Sequence, residues 1–333
     1  MEGFGIYLFV IAHYSIQGNR WGHGLYLFPI LIDMRKIIIN SVVFLLIFIC
    51  WNIYLKNTSS FYTQEKEYQK NIDLSLASKS EIILLGDSHL ASLKKVTLNK
   101  AIGNLAYGAD GIKEMYAKSL IEIRNNPELK YVFLSTEPQM FNAGNSPNGT
   151  FLDKYIFDLK EARQLYDKNR LEVTTDYVPL FNNDYLNFFR NKLYTTLKGT
   201  TVDTEQKAWE NLTTKEKNEM SEKLGISDHA SIMEQPQDTI YFKKMMGLFK
   251  EHNIKVISIK FPVTSKYIGQ CSRDDVAKVN RFLSKFDFYA QLDYTHSIDS
   301  LNFFEDPDHL GKKGVEKIAH TIENDTELSI MER

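Results

Sequence analysis

The chain has 333 residues, 43% of them hydrophobic and 25% charged, enough apolar content for one sizeable globular domain plus a membrane segment. Its net charge of −2 supplies no basic face and so excludes an electrostatic case for nucleic acid as a partner. The two cysteines, Cys50 inside an apolar run and Cys271 far from it, exclude a disulfide framework and a cysteine zinc site.

Residues 1–33 are apolar but broken by Gly, His and aromatic residues, as in Trp21-Gly22-His23-Gly24, and read as an N-terminal extension outside the fold. A second membrane span there is the alternative, which would return the main domain to the side on which the chain began. Met34-Arg35-Lys36 then opens a signal anchor over 34–56, because Ile37 to Leu55 carries no charge and is long enough to cross a bilayer. Arg35 and Lys36 before it, and Trp51 and Tyr54 near its other end, orient the N-terminus to the cytoplasm and the rest to the periplasm or cell exterior. No small-residue cleavage site follows Leu55, which favours an anchor over a removed signal peptide. Residues 57–80 are polar and mixed in charge and read as a stalk or a membrane-proximal helix.

Strands and helices alternate beyond it, from 81 to 325. Glu81 to Leu85 is a short buried strand, Ala101 to Leu105 a second, and Ile112, Met115, Tyr116, Leu120 and Ile123 a helical stripe closed by Asn125-Asn126-Pro127. Tyr131 to Leu134 is a third strand. Asp238 caps a helix carrying Tyr241, Met245, Leu248 and Phe249, and Val256 to Phe261 is a β-branched strand. Val276, Val279, Leu283 and Phe286 mark another helix, Tyr289 to Leu292 an edge strand, and Val315, Ile318, Ala319 and Ile322 a final helix. The alternation stops between about 139 and 237, which reads as a large insertion. The expected class is α/β: a three-layer α/β/α sandwich with a mainly parallel sheet, its ligand site beyond the carboxyl ends of the strands.

Two segments carry chemistry. Ile82 to Leu85 ends abruptly in Gly86-Asp87-Ser88-His89, and near the far end the chain runs Asp306-Pro307-Asp308-His309-Leu310-Gly311. A nucleophilic serine needs a base to take its proton and a third group to orient that base, and these segments supply all three residue types. An isolated Gly-Asp-Ser is more often a helix cap; the late Asp-x-x-His tips the balance toward catalysis. Asp308 is an alternative orienter, and a metal site from Asp306, Asp308 and His309 lacks a second ligand cluster. His89 reads as a local packing or hydrogen-bonding residue and Glu137 as a solvated carboxylate.

Together with Asn104-Leu105-Ala106-Tyr107-Gly108, these motifs resemble the SGNH (GDSL-like) hydrolase superfamily, with its flavodoxin-like sheet. The Gly-Asp-Ser-His form and the late Asp-x-x-His-Leu are similar to SGNH domains of bacterial polysaccharide O-acetylation. The resemblance covers about 81–135 and 238–323. It implies Ser88 as nucleophile, His309 as base and Asp306 as orienter, with the backbone N–H groups of Ser88 and Gly108 forming the oxyanion hole. The family's Gly-x-Asn, whose Asn completes that hole, is absent; Ser135-Thr136-Glu137-Pro138-Gln139 stands in its place, leaving Thr136, Gln139 or Asn142 as substitutes.

The resemblance further implies an acyl group, acetyl first, moved to or from a sugar hydroxyl of a cell-surface or secreted glycan, without metal or organic cofactor. An outward-facing transferase would need a multispanning acyltransferase partner to deliver acyl groups. A catalytically silent glycan-binding or scaffolding domain is the competing expectation, and a plain lipase or esterase the third.

Overall fold

The computed structural model describes residues 27–142, 151–156, 160, 165–167, 169–197, 208–230, 232–233 and 236–332, with side chains described from 34 onward except at 195. The chain divides into two compact units, Met1–Asn57 and Thr58–Arg333. The extension expected at 1–33 lies largely outside the described residues.

The described residues of the first unit lie in one long helix, α1 (Leu27–Thr58). Its portion Met34–Thr58 has a mean hydropathy of 2.3 and is, among the described residues, the one helix long and apolar enough to cross a membrane. Phe44 is 69% exposed and Ile47 62%. A helix apolar on every side yet uncovered by protein is a membrane anchor or a signal sequence.

The second unit opens with α2 (Ser60–Ser78), capped by the Ser59 side chain. β1 (Ile82–Leu85), α3 (Ser88–Ala91), β2 (Ile102–Asn104), α4 (Ile112–Asn125) and β3 (Tyr131–Ser135) follow. Next come the helices α5 (Asp153–Ile156), α6 (Arg170–Asp176), α7 (Asn183–Leu197) and α8 (Thr214–Asp228) of the insertion. The chain resumes its alternation with α9 (Pro236–Glu251), β4 (Lys255–Lys260), α10 (Ser265–Ile268), α11 (Arg273–Leu283), β5 (Ala290–Asp293) and α12 (Lys312–Thr326).

The five strands form one sheet in the order β2-β1-β3-β4-β5, every pairing parallel. Leu84 lies beside Phe133, and Phe133 beside Ile257, so the alternate residues of three strands share one face. There they pack in a single cluster with Val315, Ile318, Ala319 and Ile322 of α12. All four residues of β1 are buried, as a parallel strand covered on both faces requires. On the other side α4 and α9 pack together, with Tyr116 and Tyr241 stacked at 5.9 Å. The expected α/β sandwich with a parallel sheet is the structure observed.

Two local expectations change. Residues 60–78 are a layer of the globular unit rather than a stalk: Phe61, Tyr68, Ile72 and Ser75 fall on one helical face, are buried, and pack α2 on β2. Gly103 makes this approach possible, since a Cβ there would sit 2.1 Å from Ser75 Oγ. Asp238 is not the cap of α9, which begins at Pro236; proline's fixed φ suits a first helical position, and Asp238 falls within the first turn, where a carboxylate favours the helix dipole.

Gly103→Ala is therefore expected to cost about 1–3 kcal/mol of stability by overpacking. Urea unfolding checks it, and Ser75→Gly in the same chain should recover part of the loss; independent, additive effects would contradict the packing of α2 on β2.

Candidate active site

β1 runs straight into the turn that carries Ser88. Gly86 lies so close to β3 that a Cβ would come within 2.5 Å of Ser135 Cβ, and Asp87 then caps α3, its side chain accepting from the His89 N–H at 3.1 Å. Ser88 is the first, half-buried residue of that helix. The segment after β2 is laced to the end of β1 by Leu105 N–H to Leu84 O at 2.9 Å and Tyr107 N–H to Gly86 O at 3.1 Å. That brings Gly108 against the serine: a Cβ on Gly108 would stand 3.9 Å from Ser88 Cβ. Buried Lys118 holds the turn from beneath by donating to Leu105 O and to Asp110.

The far segment supplies the imidazole. Both oxygens of Asp306 lie on His309 Nδ1, at 3.0 and 2.9 Å, and Oδ1 also accepts from the backbone N–H groups of Asp308 (3.1 Å) and His309 (2.7 Å). The same carboxylate thus shapes the turn and orients the ring. Nδ1 carries the proton toward Asp306, which leaves Nε2 on the opposite side of the ring, buried and without a hydrogen-bond partner. Asp308, the alternative orienter, also touches His309 Nδ1, at 3.2 Å, but its other oxygen serves His89 Nε2 at 3.1 Å.

His89 is the residue whose importance the sequence conceals. It is 2% exposed, its ring is 5.1 Å from that of His309, and it faces Asp308 on one side and Gln139 (3.1 Å) and Glu137 (3.6 Å) on the other. Burial opposes a charge on this ring, yet the charge of Asp87 and the bonds to Asp308 and Glu137 outweigh it and hold its pKa well above 6.5. Burial likewise raises Asp87, to about 6. For Glu137 and Asp308 burial is overcome by bonds to the histidines, so both are held below the usual carboxylate range. Glu137, expected to be solvated, is 3% exposed, accepting from Ser135 Oγ and from Phe261 N–H at 2.9 Å. The apolar strand ahead of it and the proline behind it are the signal that it ends β3 inside the core.

Ser88, Ala109, Gln139, Asn142, Asp228 and Tyr267 are among the residues lining a cleft of about 260 Å³ that also reaches Asp308. Tyr267 donates to Asp228 at 3.0 Å, and Gly225 lets α8 lie directly on the α10 turn, so the insertion walls the cleft. The three substitutes for the missing Asn now separate. Thr136 is fully buried and occupied with Ser258 Oγ (2.7 Å) and Ile259 O; Asn142 donates to Asp228 O at 2.8 Å. Gln139 lines the cleft and meets His89 Nδ1. The Gln139 Nε2 lies 3.1 Å from that nitrogen; exchanging the amide oxygen and nitrogen would present the oxygen to a protonated ring and turn the NH₂ group away from it.

His89, Asp308 and His309 bring one ligand atom each within 4.8 Å of one another, as do Asp87, His89 and Glu137. Asp308 lies between the two rings, 3.1 Å from His89 Nε2 and 3.2 Å from His309 Nδ1, so the first set forms one connected network. His229 Nδ1 donates to Gly225 O at 2.8 Å, and its ring lies 4.9 Å from that of Tyr267.

No family model and no curated protein matches the chain. Among solved structures it is similar to a proposed acylhydrolase from Bacteroides fragilis, 12% identical, covering 73% of this chain and 85% of that one with a TM-score of 0.32. It is similar also to a GDSL-like lipase from Bacteroides thetaiotaomicron, 9% identical over 79% of this chain and 98% of that one, TM-score 0.34. At these values neither likeness decides the assignment, which rests on the site's own geometry.

The electrostatics of His309 set a pH dependence. Burial opposes its charge, but bonds to Asp306 and Asp308 raise its pKa to about 9. A base must be neutral, so acylation of Ser88 should rise with pH along a limb centred near 9, and Asp306→Asn should move that limb toward 6.5 while lowering the plateau. The sign for stability is opposite: charged His309 stabilises the fold fully below pH 6.5, and that contribution fades as pH climbs to about 9. A pH–rate profile of acylation beside urea unfolding at each pH checks both; a limb that stays in place in Asp306→Asn would contradict the assignment.

Proposed function

We propose that this protein is a serine-dependent acyl-transfer enzyme of SGNH type, anchored in the membrane by α1, that moves an acetyl group to a hydroxyl of a cell-envelope or secreted glycan through an acyl-Ser88 intermediate. The observation that carries the reading is the grip of Asp306 on His309 Nδ1, which leaves a buried, unpartnered Nε2 in the network that borders the cleft of Ser88. A general base needs one ring nitrogen oriented and the other open for the hydroxyl proton; Nε2 is open here and makes no hydrogen bond to Ser88.

In the first half-reaction Ser88 Oγ attacks the acyl carbonyl carbon as its proton passes to His309 Nε2. The oxyanion is met by the backbone N–H groups of Ser88 and Gly108 and by the side-chain amide of Gln139. Collapse breaks the bond to the leaving oxygen, which takes the proton back from His309. In the second half-reaction a sugar hydroxyl, or water, gives its proton to His309 and attacks the acyl carbon, regenerating Ser88. No cofactor enters either half. With the globular unit in the periplasm or at the cell exterior, the acyl donor must arrive across the membrane, which calls for a multispanning acyltransferase partner. The glycan is favoured over a small ester by the anchor and by the aromatic-rich insertion between about 139 and 237.

The test is intact-mass analysis of the full-length protein with p-nitrophenyl acetate. Wild type should gain one acetyl group or turn over steadily, and Ser88→Ala should do neither. Gln139→Ala should acylate about a hundred- to a thousandfold more slowly, the usual cost of one oxyanion donor. A wild type that neither acylates nor turns over would favour the silent glycan-binding domain, for which the absent Gly-x-Asn already speaks.

A further inference from the structure

Helix α7 carries apolar residues on two faces, and among the described residues one of them packs on the globular unit while the other is exposed. Tyr185 is 3% exposed, its ring 5.8 Å from Phe61 and 5.1 Å from Tyr62, and Phe188 lies 5.7 Å from Phe61. Leu186, Phe189 and Leu193, three and four residues apart, form a second stripe that is 38%, 49% and 47% exposed. Arg190 and Lys192 are exposed beside it, and Asn191 on its polar flank. A helix with an apolar stripe turned outward and cations at its margin has the pattern of one lying in a lipid interface.

The course of the chain supplies the surface. Phe61, on which α7 rests, is three residues beyond Thr58, where the apolar helix α1 ends. Three residues span at most about 10 Å when fully extended. The stripe is therefore leashed close to the point where the chain leaves α1, whatever angle the globular unit takes.

We propose that Leu186, Phe189 and Leu193 of α7 insert into the lipid surface of the membrane that α1 crosses, with Arg190 and Lys192 at the headgroups. The proposal rests on reading α1 as a membrane anchor. Its consequence is a second attachment that limits the tilt of the globular unit and fixes the height of the cleft above the bilayer.

The test uses the full chain with Cys50→Ala and Cys271→Ala, reconstituted in vesicles of phosphatidylcholine and phosphatidylglycerol, with a nitroxide on Phe189→Cys, Asn191→Cys or Ile47→Cys. Collisions with oxygen and with a water-soluble nickel complex then report depth. The expected result is a label at 189 that is shifted toward oxygen and protected from nickel, a label at 191 with the opposite preference, and a label at 47 deep in the bilayer. Adding Leu193→Glu should move the 189 label toward nickel. A 189 label matching 191 while 47 stays deep overturns the lipid contact alone, and spin–spin broadening at 189 overturns it in favour of a second copy. A 47 label exposed to nickel removes the anchor and the proposal with it.

Discussion

A buried cation organises this site. The imidazolium of His89 is fastened to the end of β1 by sequence, to the far segment through Asp308, and to the end of β3 through Glu137 and Gln139. Three segments widely separated in the chain meet at one ring. Asp87, Glu137 and Asp308 are each less than a tenth exposed, and carboxylates so placed are tolerated only around a compensating charge. Ser88, Gln139 and His309 each adjoin a member of that network, Ser88 and His309 in sequence and Gln139 by contact with His89.

The same charge divides the labour between the two histidines. His89, protonated and closed in, holds its neighbours; His309, gripped by Asp306 at one nitrogen and bare at the other, is the one placed to exchange a proton. Asp308 belongs to both rings, so the network couples them. The charge on His89 also works against protonation of His309, countering part of the rise that the two aspartates cause.

Much of this was legible in the chain because the relevant signals are local. The continuous apolar runs of β1, β3 and β4 announce a covered parallel sheet, and Gly86-Asp87-Ser88 announces a strand ending in a capped turn. The spacing of Asp306 and His309 allows them to pair, since one turn of backbone brings the carboxylate under the ring, and the resemblance favours Asp306 over Asp308. His89 packs and hydrogen-bonds as its sequence suggests, but its partner Asp308, like the Phe261 N–H that meets Glu137, lies far off in sequence and is shown by no local pattern. The segment at 60–78 reads from sequence as a stalk or a membrane-proximal helix because its polar residues outnumber the buried stripe of Phe61, Tyr68 and Ile72. Gln139 could be separated from Thr136 and Asn142 only when the partners of all three were visible.

The central claim is that Ser88 is a nucleophile driven by His309, and the most direct measurement is the rate at which a fluorophosphonate labels the full-length protein, with the adduct mapped by peptide sequencing. The expected result is a single adduct on Ser88 in the wild type, formed faster as pH rises toward 9, and labelling lost in His309→Gln. An adduct on another residue, or a rate on Ser88 that is unchanged in His309→Gln, would contradict it.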